Sequence, residues 1–181
     1  MSTAPATARG WIDEASARDW SDAAWWHWHT IDEIDARALL ALMSLRSRVF
    51  VVEQACVYLD PDELDPGACF LHASVQGRCV ATARVLAGGT RFAEPSIGRV
   101  CVAPELRRTG LGRALMREAL EGCRRHHPGS AVRISAQAHL AGFYRGFGFE
   151  VASAEYLEDG IAHVEMLAPA GDARRGTDAR S

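Results

Sequence analysis

Apolar residues recur along the chain at two spacings, and together these predict a fold that mixes helices and strands. Alternating or continuous apolar runs predict strands over residues 25–30, 70–75, 79–86, 96–102, 132–136, 149–154 and 163–167. Apolar positions three and four residues apart predict helices over residues 34–49, 110–126 and 140–147. Strands first, followed by alternating strands and helices, predict a mixed α/β sheet.

Short polar motifs predict where several of these elements begin and end. Thr30 and Glu33 have the spacing of a capping box, which predicts that the first helix starts there. Gln76-Gly77 predicts the turn of a hairpin, and Gly148 predicts the end of the third helix.

Length and local composition predict the domain organisation. A chain of 181 residues suits one domain. Residues 1–22 are rich in Ala, Ser, Thr and Arg, which predicts a mobile arm before a domain over residues 23–168. The polar residues 169–181 predict a disordered tail.

Charge, hydropathy and cysteine usage exclude several classes of protein. The net charge of −3 offers no basic face to a nucleic acid, and no apolar run is long enough to span a membrane. The first residues show no signal-peptide pattern. The five cysteines are odd in number and form no C-x-x-C pair, which indicates free thiols and a cytoplasmic location.

The most informative segment is the loop that follows the predicted strand 96–102. It contains Arg107 and Arg108, and then Gly110 and Gly112 at the start of the next predicted helix. The first N–H groups of a helix have no internal partner, and the helix dipole adds partial positive charge there. Glycines let an anion approach the main chain, and the arginines add full charges. The loop therefore predicts a phosphate or pyrophosphate site.

Two common nucleotide motifs do not fit this loop. A P-loop needs a lysine after its last glycine, and the chain contains no lysine. The dinucleotide motif G-x-G-x-x-G fails because Leu115 stands where its third glycine is required. The loop instead resembles the R/Q-x-x-G-x-G/A loop of the GNAT superfamily of acyl-CoA N-acyltransferases, with Arg107, Gly110 and Gly112 in the motif positions.

Other segments resemble the same superfamily in the expected order. Residues 135–149 resemble the GNAT helix that ends in F-Y-x-x-x-G-F, and residues 48–54, 136–140 and 158–163 resemble its ElaA-like branch. The resemblance implies a mixed, mostly antiparallel sheet of six to seven strands with helices on both faces. It also implies an enzyme that transfers acetyl from acetyl-CoA to a small-molecule or protein amine, by direct attack in a ternary complex.

The resemblance implies a donor site built from a strand, the loop and a short helix. Its predicted residues are Val100, Cys101, Val102, Arg107, Arg108, Thr109, Gly110, Leu111, Gly112, Arg113, Gln137 and Tyr144. Loop amides would hold the pyrophosphate of acetyl-CoA, and free strand amides would hold its pantetheine arm and thioester. Tyr144 stands at the family position of the acid that protonates the leaving thiolate, and its alternative role is a core aromatic beside Phe143.

The general base is not evident, because the strand before the loop carries no carboxylate. The candidates are Glu53, Glu94, His72 and the acids of residues 60–65. We predict Glu53 as the catalytic base or acceptor contact; the alternatives are a solvated charge at a helix end or an ion pair with Arg46 or Arg48. The acidic loop, residues 60–67, suggests a cationic amine as acceptor, although charged runs are usually just solvated.

Three other features have both a functional and an ordinary interpretation. His27 and His29 would share a strand face with His163 nearby, but zinc needs at least three converging ligands, so we predict no metal site. Cys101 could act as a nucleophile, yet its valine neighbours indicate a buried, inert thiol. The cluster Trp25-Trp26-Trp28 indicates sheet packing.

Two alternatives to an enzyme remain open at the level of the sequence. A non-catalytic acyl-CoA-binding or sensing module would keep the loop and lack a base. An interaction protein would use its tryptophan-rich N-terminal region to bind a partner or a second copy, which would give a homodimer.

Overall fold

A computed structural model describes residues 25–171; the predicted arm at 1–22 and most of the predicted tail at 169–181 lie outside the described residues. The strands are β1 Trp25–Thr30, β2 Cys69–Val75, β3 Arg78–Leu86, β4 Ser96–Val102, β5 Val132–Gln137, β6 Glu150–Val151, β7 Tyr156–Glu158 and β8 Ile161–Ala168. The α-helices are α1 Ala36–Arg46, α2 Leu111–His126 and α3 Ala141–Arg145.

The described strands form one sheet in the order β1-β2-β3-β4-β5-β8-β6, and β7 also pairs with β8. Every pair is antiparallel except β4 with β5, which are parallel. The predicted mixed, mostly antiparallel sheet is therefore confirmed, with eight strands rather than six to seven.

Strands β4 and β5 separate soon after they meet. They share one register position, Ser96 opposite Arg133. In the same region the β3–β4 register shifts between Thr82 and Arg84, and Arg99 of β4 has a left-handed φ of 50°. Such an irregularity bends a strand and increases its twist, so β4 diverges from β5 and a cleft opens between them.

Helix α1 begins later than the capping-box spacing predicts. Its N-cap is Asp35, whose carboxylate accepts hydrogen bonds from the N–H groups of Arg37 at 2.9 Å and Ala38 at 3.1 Å. Thr30 and Glu33 instead form a turn, in which Glu33 Oε2 accepts from the N–H and the hydroxyl of Thr30, both at 2.9 Å. The motif is a true local contact, but the predicted helix start was wrong.

A π-helical segment, Ser47–Glu53, continues α1. At its end the N–H of Gln54 donates to the C=O of Val49, five residues back, at 3.3 Å. The wider turn brings Phe50, Glu53 and Gln54 to the lining of the cleft. The apolar period predicted a helix through Val49 but contained no sign of this wider turn.

The helices α1 and α2 cover opposite faces of the sheet. Phe70 packs with Leu42 of α1, whereas the next residue, Leu71, packs in the cluster that contains Leu115 of α2. Trp28 of β1 also packs on α2, where its ring occupies the space above Gly122: an added Cβ would lie 2.1 Å from the ring. This confirms the predicted packing role for Trp28.

The C-terminal elements differ in length from their predictions. The predicted helix 140–147 is a short 3₁₀ turn followed by α3. The predicted strand 149–154 reduces to the two residues of β6, and β8 begins early, at Ile161. Strand β7 was not predicted; it forms a hairpin with β8 through Asp159-Gly160, both with positive φ.

The five cysteines all lie within the described residues as free thiols, as predicted. Cys56, Cys101 and Cys123 are buried. Between residues 25 and 171, no helix is both long and apolar enough to cross a bilayer.

Candidate active site

A cleft of about 400 Å³ opens where β4 and β5 part. One wall consists of β4 and the π-helical segment; the other consists of β5, α3 and the β7–β8 hairpin. The predicted site residues that line it are Glu53, Val100, Cys101, Val102, Arg107, Gln137 and Tyr144. The remaining predicted residues, 108–113, continue from Arg107 into the first turn of α2.

Strand β4 provides the wall that is predicted to hold the donor. Beyond Ser96 its edge has no backbone partner in β5, so peptide groups there are available to a ligand. Val100 and Val102 are half-buried beside the cleft. Cys101 is 6% exposed, and burial raises the pKa of its thiol far above the ordinary value. The thiol is therefore neutral, which fits the predicted inert Cys101.

The loop after β4 presents bare main chain at the start of α2. Arg108 and Gly110 have left-handed φ values of 66° and 97°, and glycine adopts such values without strain. Gly110 is the N-cap and makes no side-chain cap, so the first N–H groups of α2 point outward. A Cβ on Gly112 would meet only Val102, at an ordinary 3.7 Å. The fold itself therefore tolerates a side chain at Gly112.

The other loop side chains fall into different environments. Leu111 is fully buried, so only its N–H can contact a ligand. The Thr109 hydroxyl donates to the C=O of Leu106 at 2.7 Å and closes the turn. Arg108 and Arg113 are exposed, and Arg113 extends toward α3, where its Nη1 lies 3.6 Å from the Cβ position of Gly146.

Glu53 and Arg107 form an ion pair at the rim of the cleft. The two guanidinium nitrogens Nη1 and Nη2 of Arg107 donate to the Glu53 carboxylate at 2.6 and 2.9 Å. Arg107 Nε also donates to the C=O of Val102, at 3.3 Å. The hydrogen bonds from Arg107 to Glu53 raise the pKa of Arg107. Glu53 is thus paired with the loop arginine, and not with Arg46 or Arg48.

Tyr144 lies on the opposite wall, in α3. Its side chain is buried, and its ring packs edge-on against Phe143 and Phe149, with centroids 5.1 and 6.2 Å away. It also lines the cleft. Burial raises the pKa of its phenol to about 12, so the group is protonated at neutral pH. Tyr144 is therefore a buried core aromatic that also borders the cleft and carries its phenol proton at neutral pH.

Gln137, the last residue of β5, links the two walls. Its Nε2 donates to Oε1 of Gln54, which follows the π-helical segment, at 3.3 Å. Gln137 therefore connects β5 to the opposite wall of the cleft, at the end of the π-helical segment.

A polar cluster that sequence reasoning missed lies on the β5–β7–β8 wall. Ser135 Oγ lies 2.7 Å from the Tyr156 hydroxyl and donates to Glu158 Oε2 at 2.8 Å. Arg91 donates to the other oxygen of Glu158 at 2.9 Å. Burial raises the pKa of Glu158, but the bonds from Ser135 and Arg91 outweigh it, so the net pKa is lowered. The one sequence signal was the ElaA-like segment 158–163.

The acidic loop is neutralised inside the protein. Arg46 is fully buried and contacts both Asp60, at 2.9 Å through Nε, and Asp65, at 2.8 Å through Nη1. Burial alone would raise the pKa of Asp65, but hydrogen bonds, chiefly from Arg46, lower it to about 2. The carboxylate is therefore ionised and fully engaged at neutral pH.

Two cleft-lining arginines complete this network. Arg84 pairs with Asp62 and, at 2.8 Å, with Asp65. Arg99 lies 2.6 Å from Asp60 and 2.9 Å from Asp62, and its guanidinium lies over the ring of Tyr58, 5.6 Å from the centroid. The suggestion that this loop attracts a cationic acceptor is therefore corrected, because its aspartates are matched by internal arginines.

The remaining base candidates lie outside the cleft lining. Glu94 pairs with Arg133 at 2.7 Å, and this hydrogen bond lowers the pKa of Glu94 to about 2. His72 lies beside His27 and His29, on the far part of the sheet. Among the candidates named from the sequence, Glu53 is the one that lines the cleft.

The match to a protein family agrees with this architecture. A family model described as an acetyltransferase (GNAT) domain matches residues 50–168. Protein ElaA of Escherichia coli (strain K12) is 40% identical over 136 residues, which cover 74% of this chain and 89% of that protein. The chain therefore belongs to the GNAT acetyltransferase family, in its ElaA-like branch, and is an acyltransferase.

Solved structures confirm the predicted fold. The crystal structure of Escherichia coli ElaA has a TM-score of 0.76 at 37% identity, and the match covers 80% of this chain and 99% of that one. An acyl-CoA N-acyltransferase from Pseudomonas aeruginosa has a TM-score of 0.77 at 36% identity, with the same coverage of 80% and 99%.

Proposed function

We propose that the protein transfers acetyl from acetyl-CoA to an amine, on a small molecule or a protein, by direct attack within a ternary complex. One observation carries this proposal: the separation of β4 from β5 leaves a free strand edge and Tyr144 around a single cleft, and from Arg107 of its lining the chain leads directly to the open N-terminus of α2. Membership of an acyltransferase family favours this function over a non-catalytic acyl-CoA-binding module.

The donor would be held by the β4 wall and the loop. The pyrophosphate would accept hydrogen bonds from the open amides of the first turn of α2, with Arg107, Arg108 and Arg113 as counter-charges. The pantetheine arm would bond to the free edge at Val100, Cys101 and Val102. A β4 N–H aimed at the thioester oxygen would stabilise its developing negative charge, an effect of about 3 kcal/mol.

The transfer itself needs two proton movements. The amine nitrogen attacks the thioester carbon and forms a C–N bond, and the C–S bond then breaks. The proton lost from nitrogen passes to a base, and Tyr144 donates its proton to the leaving thiolate. Because the pKa of Tyr144 is about 12, the phenol is fully protonated when the thiolate leaves. The products are an N-acetyl amine and free CoA.

We propose Glu53 as the base, acting after the donor has bound. In the structure its carboxylate is held by Arg107 at 2.6 and 2.9 Å. A pyrophosphate at the loop would compete for the same guanidinium, because phosphate groups are strong bidentate partners of arginine. Donor binding would then release the Glu53 carboxylate into the cleft to accept the amine proton.

The acceptor would lie against the Ser135–Tyr156–Glu158 cluster. Ser135 and Glu158 line the cleft opposite the donor wall, the Tyr156 hydroxyl bonds to Ser135, and Glu158 keeps a negative charge at neutral pH. The Glu158 carboxylate and the Ser135 hydroxyl can position a cationic or polar amine next to the thioester.

Release of free CoA tests the proposed activity. The full-length protein would be assayed with acetyl-CoA and with longer acyl-CoAs against a panel of small amines and amine-bearing peptides. We expect turnover with acetyl-CoA and at least one amine. Saturable acetyl-CoA binding with no turnover on any acceptor, including a protein extract, would instead support the binding module.

Tyr144→Phe tests the proposed acid. We expect kcat to fall by about 10² or more, because the thiolate loses its proton donor, while acetyl-CoA affinity in calorimetry stays near wild type. Tyr58→Phe is the matched control, since it removes another phenol that lines the cleft and has no assigned role in the transfer. An equal fall in both variants, or no fall in Tyr144→Phe, would contradict the assignment.

A further inference from the structure

Three histidines converge on the sheet at a distance from the cleft. His27 of β1 lies opposite His72 of β2, and His29 is the next residue on the same face of β1. The His72 ring centroid lies 4.8 Å from that of His27 and 5.6 Å from that of His29. One ring nitrogen from each histidine lies within 4.8 Å of the other two.

The cluster has two properties of a binding site for a cation. His72 is 5% exposed, and its Nδ1 is buried with no hydrogen-bond partner among the described residues. The carboxylates of Glu33 and Asp35 add negative potential around His29.

We propose that His27, His29 and His72 bind a divalent transition-metal ion such as Zn²⁺, with solvent in the remaining position. Three imidazoles are a suitable donor set for Zn²⁺, at Zn–N distances of about 2.1 Å. Tetrahedral coordination then requires nitrogens roughly 3.4 Å apart. The present spacing therefore contracts on binding, through rotation of the partly exposed His27 and His29.

The surroundings of His27 support this role. Its Nε2 contacts Ser74 Oγ at 3.1 Å, which is the kind of second-nitrogen contact that orients a metal-bound imidazole. This proposal differs from the sequence prediction, which was that the protein has no metal site. In that prediction, His163 was considered as the third ligand. His163 instead lines the cleft and stacks on Tyr156, and His72 occupies the third position.

The position of the cluster indicates a stabilising role for the ion. Strand β1 is at the edge of the sheet and pairs only with β2 among the described strands. An ion shared by His27, His29 and His72 would tie this edge strand to its neighbour. None of the three histidines lines the cleft, so the ion would stabilise the fold without entering the transfer reaction.

The test uses the full-length protein, stripped with a chelator and titrated with Zn²⁺ alone by calorimetry and thermal unfolding. We expect one ion per chain, micromolar or tighter affinity, and a Tm rise of several degrees at saturating Zn²⁺. His29→Gln should weaken binding at least tenfold. His126→Gln is the control, because His126 is exposed and contacts Trp28, whose side chain lies on the opposite face of β1.

The five free thiols are the competing ligands, and Co²⁺ distinguishes them. Co²⁺ bound by histidines lacks the thiolate charge-transfer band. Absence of saturable binding would overturn the proposal. So would binding that is equal in His29→Gln and His126→Gln, or that disappears when the thiols are alkylated. A His27→Gln variant, folded by circular dichroism, repeats the test at a second ligand.

Discussion

The loop after β4 and the acidic loop before β2 are both densely charged, and the fold uses them in opposite ways. The acidic loop, residues 60–67, directs Asp60, Asp62 and Asp65 at internal arginines. The loop after β4 leaves Arg108 and Arg113 exposed beside an uncapped helix N-terminus. Charge in a sequence therefore predicts a ligand only where the fold supplies no counter-charge.

The Glu53–Arg107 pair is intermediate between these two regions. Each side chain is 40% exposed, and the pair joins the loop after β4 to the π-helical segment. An ion pair in this setting contributes about 1 kcal/mol or less, so a phosphate ligand can displace it. A ligand cannot displace the ion pairs of Arg46 in this way, because they are buried.

The largest expected effect is on donor binding, and Gly112→Asp produces it. A carboxylate at the first turn of α2 would repel the pyrophosphate and occupy its position, so we expect at least about a 100-fold loss of acetyl-CoA affinity. An acid at a helix N-terminus interacts favourably with the dipole, so Tm should not fall. Calorimetry and thermal unfolding measure the two effects.

Gly112→Ala distinguishes charge repulsion of the pyrophosphate from steric exclusion by the added side chain. A Cβ at Gly112 meets only Val102 at 3.7 Å, so the fold accepts alanine. We expect a smaller loss of affinity than with aspartate. Wild-type affinity in Gly112→Asp would show that the pyrophosphate binds elsewhere.

The second effect is on stability, and Asp65→Asn produces it in the acidic loop. Removal of this charge leaves the buried Arg46 and Arg84 without one of their carboxylate partners. We expect the free energy of unfolding to fall by about 3–5 kcal/mol. Urea denaturation would measure the loss. Glu105→Gln is the control: it breaks the exposed pair with Arg48, whose side chains are 47% and 37% exposed, and should cost less than about 1 kcal/mol.

Acid titration sharpens the same prediction. The pKa of Asp65 is about 2 in the folded protein, below its ordinary value of about 3.9. A lowered carboxyl pKa stabilises the fold above the unfolded value and is lost as pH falls through the folded value. The wild type should therefore lose stability between about pH 4 and pH 2, and Asp65→Asn should show a shallower decline over that interval. Parallel curves would contradict the assigned role.

The smallest effect on acetyl-CoA binding is expected from the Glu53–Arg107 ion pair. Glu53→Gln frees Arg107, so we expect acetyl-CoA to bind about 2- to 5-fold more tightly, while kcat falls because the proposed base is lost. Glu105→Gln, a nearby carboxylate paired with Arg48, should change neither quantity. Unchanged affinity and unchanged kcat in Glu53→Gln would remove Glu53 from the site.

The sequence predicted the parts of this molecule that depend on local periodicity and on motifs. Strands β1 to β5 and β8, helix α2 and the loop at Gly110 and Gly112 follow from residues that are neighbours in the chain. The contacts of Glu53 and Asp65 could not be predicted in this way, because Arg107 and Arg46 are distant in sequence. The cluster of Ser135, Tyr156 and Glu158 was missed for the same reason, and because β7 is too short to show a period.

The single parallel bridge between β4 and β5 also determines how the sheet unfolds locally. The antiparallel pairs β3–β4 and β5–β8 extend over five and six register positions, whereas Ser96 and Arg133 are the one register position that joins β4 to β5. Amide hydrogen exchange should therefore resolve two cooperative units, β1–β4 and β5–β8, that exchange at different rates. A ligand bonded across the gap would couple the two units and slow exchange in both.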